Sequence, residues 1–221
     1  ERERVTREIL DVISRSRDDI DPVFKAIVSK AGQLCNAQLA GLNIVNEDRT
    51  LLILRSHWGD AWRVLEDGVF FTMNKLYGVR FKPRPDLPVY HPDVKAYELF
   101  DVNGDSLAIF YADYFSRKGK RGGAWMSSFV GQSKLLSQKP VVVNVMNINK
   151  APDGEPTLVS YDHVTTMFHE MGHGLHGMLS DVNYPTLAGT SVSRDYVEFP
   201  STFEEDWAAH PDVIANYAKH Y

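Results

Sequence analysis

His169-Glu170-Met171-Gly172-His173 sets two imidazoles and a carboxylate within five consecutive residues. On an α-helix, positions i and i+4 share one face, so His169 and His173 can present two nitrogens to one metal ion. Glu170 stands beside the first of them, placed to take a proton from a metal-bound water. Zinc suits such a donor set, because it accepts nitrogen and oxygen ligands and keeps one position open in catalytic sites. The competing reading is a helix with two structurally satisfied histidines. A third protein ligand is required. The stretch Arg194-Asp195-Tyr196-Val197-Glu198-Phe199-Pro200 offers one, with Asp195 as a helix cap and Glu198 in the first turn. Spacing alone equally allows a capping box, in which Glu198 folds back on the Asp195 amide. Glu204 and Glu205 are rival ligands, and Asp181 is a weaker one.

The elements that must hold these groups are legible around them. Ser160 is a suitable N-cap, and Asp162 falls in the first turn, where a carboxylate complements the helix dipole. Val164, Met167, Phe168, Met171, Leu175, Met178 and Leu179 recur at helical spacing and predict a core-facing stripe. Asn183-Tyr184-Pro185 ends the run, so the motif lies on a helix of about five turns. Gly172 inside that helix costs roughly 1 kcal/mol against Ala. A missing side chain makes sense there if another backbone or a substrate packs close. Upstream, Lys95–Phe100 and Ser106–Phe115 read as strands around the turn Asn103-Gly104-Asp105, and residues 140–148 as a third strand. Residues 117–123, basic and glycine-rich, lack phosphate-loop spacing and read as a flexible loop near the cleft.

The residues around the motif resemble a known family. Residues 167–177, then Gly189-Thr190, then residues 194–201 and Trp207 look like the thimet oligopeptidase family of zinc metallopeptidases, within it the dipeptidyl carboxypeptidase and oligopeptidase A branch. The likeness continues upstream through residues 64–71, 87–94 and 120–126, covering about residues 61–221. It implies zinc, one ion per chain, held by His169, His173 and Glu198, with Glu170 as general base. It implies cleavage of short peptides by water addition, and a zincin-like catalytic region with a small antiparallel sheet beside the motif helix. An edge of that sheet can pair with an extended peptide. Two positions depart from the pattern: Met171 stands where the family has Phe, and Thr202 where it has a Gln able to support a ligand. The family also uses Tyr and His residues well beyond the third ligand to hold the substrate and its oxyanion. The sequence to Tyr221 has no counterpart of them; Tyr184 and Tyr196 read as packing aromatics. Beginning with Glu1 rather than Met, it reads as an excerpt.

The remainder reads differently. Val5, Ile9, Leu10, Val12 and Ile13 form one helical pattern, and Val23, Phe24, Ile27, Val28, Ala31 and Leu34 another. Residues 39–45 and 51–54 then read as strands around the turn 46–49. This order resembles the opening of a GAF domain, with a likeness carried by residues 21–28 and 34–37. The expected organisation is a partial GAF-like segment over residues 1–59, of α/β character, and a mostly helical α+β peptidase fragment over residues 60–221. A genuine fusion and a misassembled coding sequence both account for the junction. Among 221 residues there is one cysteine, Cys35, which excludes an internal disulfide and fits a reducing, cytoplasmic setting. No apolar run is long enough to span a membrane. The net charge of −5, with interspersed signs, argues against nucleic acid or an anionic membrane as partner. The expected partners are short peptides. The alternative function is a non-catalytic zinc-binding or sensory fragment.

Overall fold

The computed structural model describes residues 43–45, 52–54, 58–152 and 155–218. The chain divides into two units, Glu1–Trp58 and Gly59–Tyr221. In the first, β1 (Asn43–Val45) and β2 (Leu52–Leu54) pair antiparallel with Ile44 opposite Ile53, the arrangement predicted for this stretch. The two helical patterns and Cys35 lie outside the described residues, and the likeness to a GAF domain is not carried by two short strands.

At the start of the second unit, β3 (Trp58–Asp60) pairs with β9 (Leu158–Val159). Asp60 ties this corner together: its Oδ1 accepts from the Trp62 N–H at 3.0 Å and its Oδ2 from the Thr157 N–H at 2.9 Å. Helix α1 (Ala61–Arg63) continues through a wider π-helical stretch (Val64–Phe70) into α2 (Phe71–Tyr77), which Gly78 closes in a left-handed conformation. Five strands follow: β4 (Arg80–Pro83), β5 (Lys95–Phe100), β6 (Ser106–Phe115), β7 (Trp125–Val130) and β8 (Val141–Ile148), in the sheet order β4-β5-β6-β8-β7.

This sheet departs from the antiparallel one expected. β6 and β8 run parallel, from Ile109 opposite Val141 to Phe115 opposite Ile148, and the other pairs are antiparallel. The cause is topological. After β6 the chain crosses to the outer edge, lays down β7, and returns so that β8 inserts between them. Two reversals make β8 parallel to β6.

Helix α3 (Tyr161–Met178) lies against this sheet. Its start follows the expected capping: Ser160 Oγ accepts from the His163 N–H at 3.2 Å, and Asp162 sits in the first turn. Val164, Met167, Phe168, Met171, Leu175 and Met178 are buried, together with Phe110, Tyr114, Val142 and Met146 of the sheet. Burying each large apolar side chain contributes about 1.5–3 kcal/mol, so the amphipathic pattern rather than helix propensity holds α3 in place. After a 3₁₀ turn (Pro185–Leu187), α4 (Arg194–Glu205) packs on α3, and α5 (Pro211–Tyr217) ends the described chain.

Two glycines let neighbours approach α3 on different sides. A Cβ at Gly177 would meet Met126 Cε at 2.7 Å and Val142 Cγ2 at 3.2 Å, on the sheet side. A Cβ at Gly172 would lie 2.6 Å from Ser201 Cα and 2.7 Å from the Pro200 carbonyl oxygen, so here it is the α4 backbone that packs close. The Gly172→Ala variant should therefore lose stability despite the better helix propensity of Ala. Overpacking costs about 1–3 kcal/mol, which exceeds the roughly 1 kcal/mol that propensity returns. Thermal melting should show a Tm lower by several degrees, and a Tm equal to or above the parent's would refute the tight crossing.

Candidate metal centre

The crossing of α3 and α4 assembles the site. His169 and His173, one turn apart on α3, have ring centroids 4.8 Å apart and planes at 85°. α4 places Glu198 opposite them, with its Oε2 at 3.1 Å from His173 Nε2 and 3.4 Å from His169 Nε2. One donor atom from each of the three residues can be chosen such that all lie within 4.8 Å of one another. Donors around a tetrahedral zinc, with bonds of about 2.0–2.1 Å, sit roughly 3.3 Å apart. Two nitrogens and a carboxylate oxygen at these separations fit such an ion.

Neighbouring groups hold the donors in register. Ser201 donates its hydroxyl to Glu198 Oε2 at 2.9 Å, and the same Oγ lies 2.9 Å from the Glu198 carbonyl oxygen. Ser201 itself is buried. Glu205 Oε1 lies 2.6 Å from His169 Nδ1. With that nitrogen protonated and donating, His169 keeps Nε2 free to bind a metal. His173 Nδ1 is buried without a hydrogen-bond partner among the described residues. Burial lowers the His173 pKa, with the opposing pull of Glu198 second, and this favours the neutral imidazole that a metal requires.

Glu170 is 5 % exposed, and its Oε2 has no hydrogen-bond partner among the described residues. Burial pushes its carboxyl up to about 7; His169 opposes that shift and the charge of Glu198 adds to it. A buried carboxyl poised near neutrality beside a candidate metal triad is the kind of group that can serve as a general base.

The rival ligands have other occupations. Asp181 is exposed and paired with Lys134 at 2.7 Å. Glu204 is buried and accepts a hydrogen bond from the Tyr77 hydroxyl. Glu205 supports His169 rather than joining the triad. The capping expectation for α4 also changes: Ser193 occupies the N-cap and Asp195 lies inside the first turn, while Glu198 faces the histidines instead of folding back. Thr202 is exposed, and the support expected from a Gln at that position comes from Ser201 one residue earlier. Sequence reasoning missed Ser201 and the role of Glu205. The available signal was their i+3 and i+7 spacing from Glu198, which puts all three on one helical face. Tyr184 and Tyr196 are exposed, and Tyr196 stacks on Phe199. The basic loop at 117–123 is pinned rather than free. Buried Asp113 accepts from Arg117 at 2.6 Å and from Lys120 at 2.8 Å, and Asn147 Nδ2 donates to the carbonyls of Arg121 and Gly123.

The Glu205→Ala variant should weaken zinc binding by roughly 10- to 100-fold, as loss of a carboxylate that orients a metal-bound histidine typically does. Competition with a chelating dye measures this directly, and parent-like affinity would show that the Glu205–His169 contact does not orient the ligand.

The profile of peptidase family M3 matches residues 61–221. The chain belongs to peptidase family M3. Among family M3 relatives, the chain is 54 % identical over 158 residues to a dipeptidyl carboxypeptidase of Escherichia coli. It is 42 % identical over 159 residues to oligopeptidase A of the same organism, and 35 % identical over 160 residues to a thimet-like oligopeptidase of Dictyostelium discoideum. These alignments cover 70–72 % of the chain but only 23–24 % of the length of each relative. The candidate metal ligands His169, His173 and Glu198, together with Glu170, Ser201 and Glu205, all fall inside the matched region.

Proposed function

We propose that this chain carries the zinc centre of a cytoplasmic peptidase that hydrolyses short peptides, of the oligopeptidase or dipeptidyl carboxypeptidase type. The observation that carries the reading is the buried Glu170, whose Oε2 has no hydrogen-bond partner among the described residues, on the same helix as the two histidines of a His/His/Glu donor set, within a family M3 sequence. His169, His173 and Glu198 would hold the ion. When bound, zinc supplies a Lewis acid that polarises a carbonyl and acidifies water. Glu170 takes the proton of the attacking water at its carboxylate and returns it to the leaving amine. Its burial keeps bulk water from competing for that proton, and its raised pKa suits a group that must accept and then release one.

β7 is an outer strand of the sheet and packs on the same helix, where Met126 approaches Gly177, one turn beyond His173. Ser127, Ser128 and Phe129 on β7 are exposed. Backbone groups on the outer edge of such a strand can pair with an extended peptide, which supports peptides as the substrate class. Relatives named dipeptidyl carboxypeptidase favour release of C-terminal dipeptides.

The test is cleavage of a quenched short-peptide library by the zinc-loaded chain, with fragments identified by mass spectrometry. Cleavage of peptides with free C-termini but not of their C-terminal amides is the result expected for dipeptide release. Cleavage of both supports the oligopeptidase type. No cleavage by folded chain holding one zinc would overturn the hydrolase reading for this chain and leave metal binding alone.

A further inference from the structure

Behind the α3–α4 crossing, the second unit holds a pocket of about 360 Å³. This lies at the lower end of the range for small-ligand sites, roughly 300–1,000 Å³. Leu175 of α3, Leu179 at its C-cap, Pro200 of α4, and Val182, Leu187 and Val192 of the intervening segment supply its apolar walls. No lysine or arginine lines it, and its polar side chains besides Glu204 are Tyr77, His176 and Ser180. Glu204 contributes a single carboxylate. That side chain is 1 % exposed, its Oε1 accepts from the Tyr77 hydroxyl, and its Oε2 has no hydrogen-bond partner among the described residues.

A buried carboxylate oxygen without a donor is costly. Desolvation of a charged group, or of a polar one left unpaired, disfavours the fold by several kcal/mol unless a partner arrives. Burial accordingly raises the Glu204 pKa, only partly offset by Tyr77. Apolar walls ending at one unmatched carboxylate call for an apolar body ending in one cationic donor. We propose that this pocket binds a primary amine carried on a short aryl or alkyl body, with the ammonium donating to Glu204 and the body against Leu175, Leu187 and Val192. Tyr77 is 41 % exposed at the rim, so its ring can swing aside and open the way to Oε2. Gly172 and His176 of the lining neighbour His173 along α3, but none of His169, His173 and Glu198 lines the pocket, which makes it a second site beside the zinc centre.

The test is a ¹⁵N-NMR titration of the zinc-loaded chain with 4-phenylbutylamine, run beside the isosteric 4-phenylbutanol and 4-phenylbutyrate. The amine should shift resonances of residues 175–192 and of Glu204, bind at least tenfold more tightly than the alcohol, and leave the His169 and His173 ring signals in place. A charge-assisted hydrogen bond is worth about 1.5–3 kcal/mol, or roughly 10- to 100-fold, so Glu204→Gln should lower amine affinity by that factor and leave alcohol affinity unchanged. Val192→Trp, a substitution at the exposed rim, should fill the pocket and abolish binding of both. Equal affinities for amine and alcohol would overturn the proposal. So would amine binding that survives either variant, or shifts centred on the histidines. Because the readout does not involve turnover, failure here is distinguishable from failure of the peptidase reading.

Discussion

Glu170→Gln should lower kcat/KM for peptide cleavage by roughly 10²- to 10⁴-fold, the range that a positioned general base contributes. That factor corresponds to about 3–5 kcal/mol of barrier. The amide keeps the shape of the side chain and cannot accept the proton. The metal triad is untouched, since His169, His173 and Glu198 make their mutual contacts without Glu170. Zinc affinity should therefore remain within about twofold of the parent's. Stability should not fall either. Glu170 Oε2 is buried without a hydrogen-bond partner among the described residues, and burial pushes the carboxyl up to about 7, so ionisation is disfavoured in the folded metal-free chain. A neutral amide removes that desolvation penalty. The informative result is the combination: turnover lost, zinc retained, melting temperature equal or higher. Turnover within a few-fold of the parent would remove Glu170 from the proton path. Turnover and zinc lost together would assign it a structural role.

How far the sequence reveals this site depends on the range of the contacts involved. Helix α3 and its Ser160 cap were legible because they rest on local periodicity and one side-chain-to-backbone bond. The predicted strands at Lys95–Phe100 and Ser106–Phe115 coincide with β5 and β6, whose apolar runs flank a clear Asn-Gly-Asp turn. β7 went unread because Ser127 and Ser128 interrupt its apolar pattern; it is a strand through pairing with β8. The parallel β6–β8 pair was equally invisible, since strand direction follows from where the chain crosses over. The choice among Glu198, Glu204 and Glu205 could not be made from spacing, because all three lie on one helix within two turns. The likeness to the thimet oligopeptidase family pointed to Glu198. Geometry gives the physical reason: Gly172 admits the Ser201 backbone, the crossing angle follows, and Glu198 comes to face the histidines while Glu204 turns to Tyr77.

The same geometry predicts the largest change in metal binding. Glu198→Ala removes the one carboxylate among the described residues that approaches both imidazole Nε2 atoms, and should weaken zinc affinity by on the order of 10²-fold or more, at or above the top of the 10- to 100-fold range typical of supporting groups. A two-histidine remnant holds zinc poorly, because water must replace a charged ligand. Glu198 is more than half exposed, so the fold should survive its truncation, and circular dichroism of the variant should match the parent's. The graded series is the sharper test. Glu204→Ala should leave zinc affinity unchanged, because its carboxylate meets Tyr77 and not a histidine. Ser201→Ala should reduce it less than Glu198→Ala, because Ser201 only steadies the ligand. The order Glu198, then Glu205, then Ser201, then Glu204 follows from the contacts. If Glu204→Ala proved more damaging than Glu198→Ala, the α4 face presented to the metal would be the wrong one, and the helix would have to rotate by about 100° per residue of register to correct it.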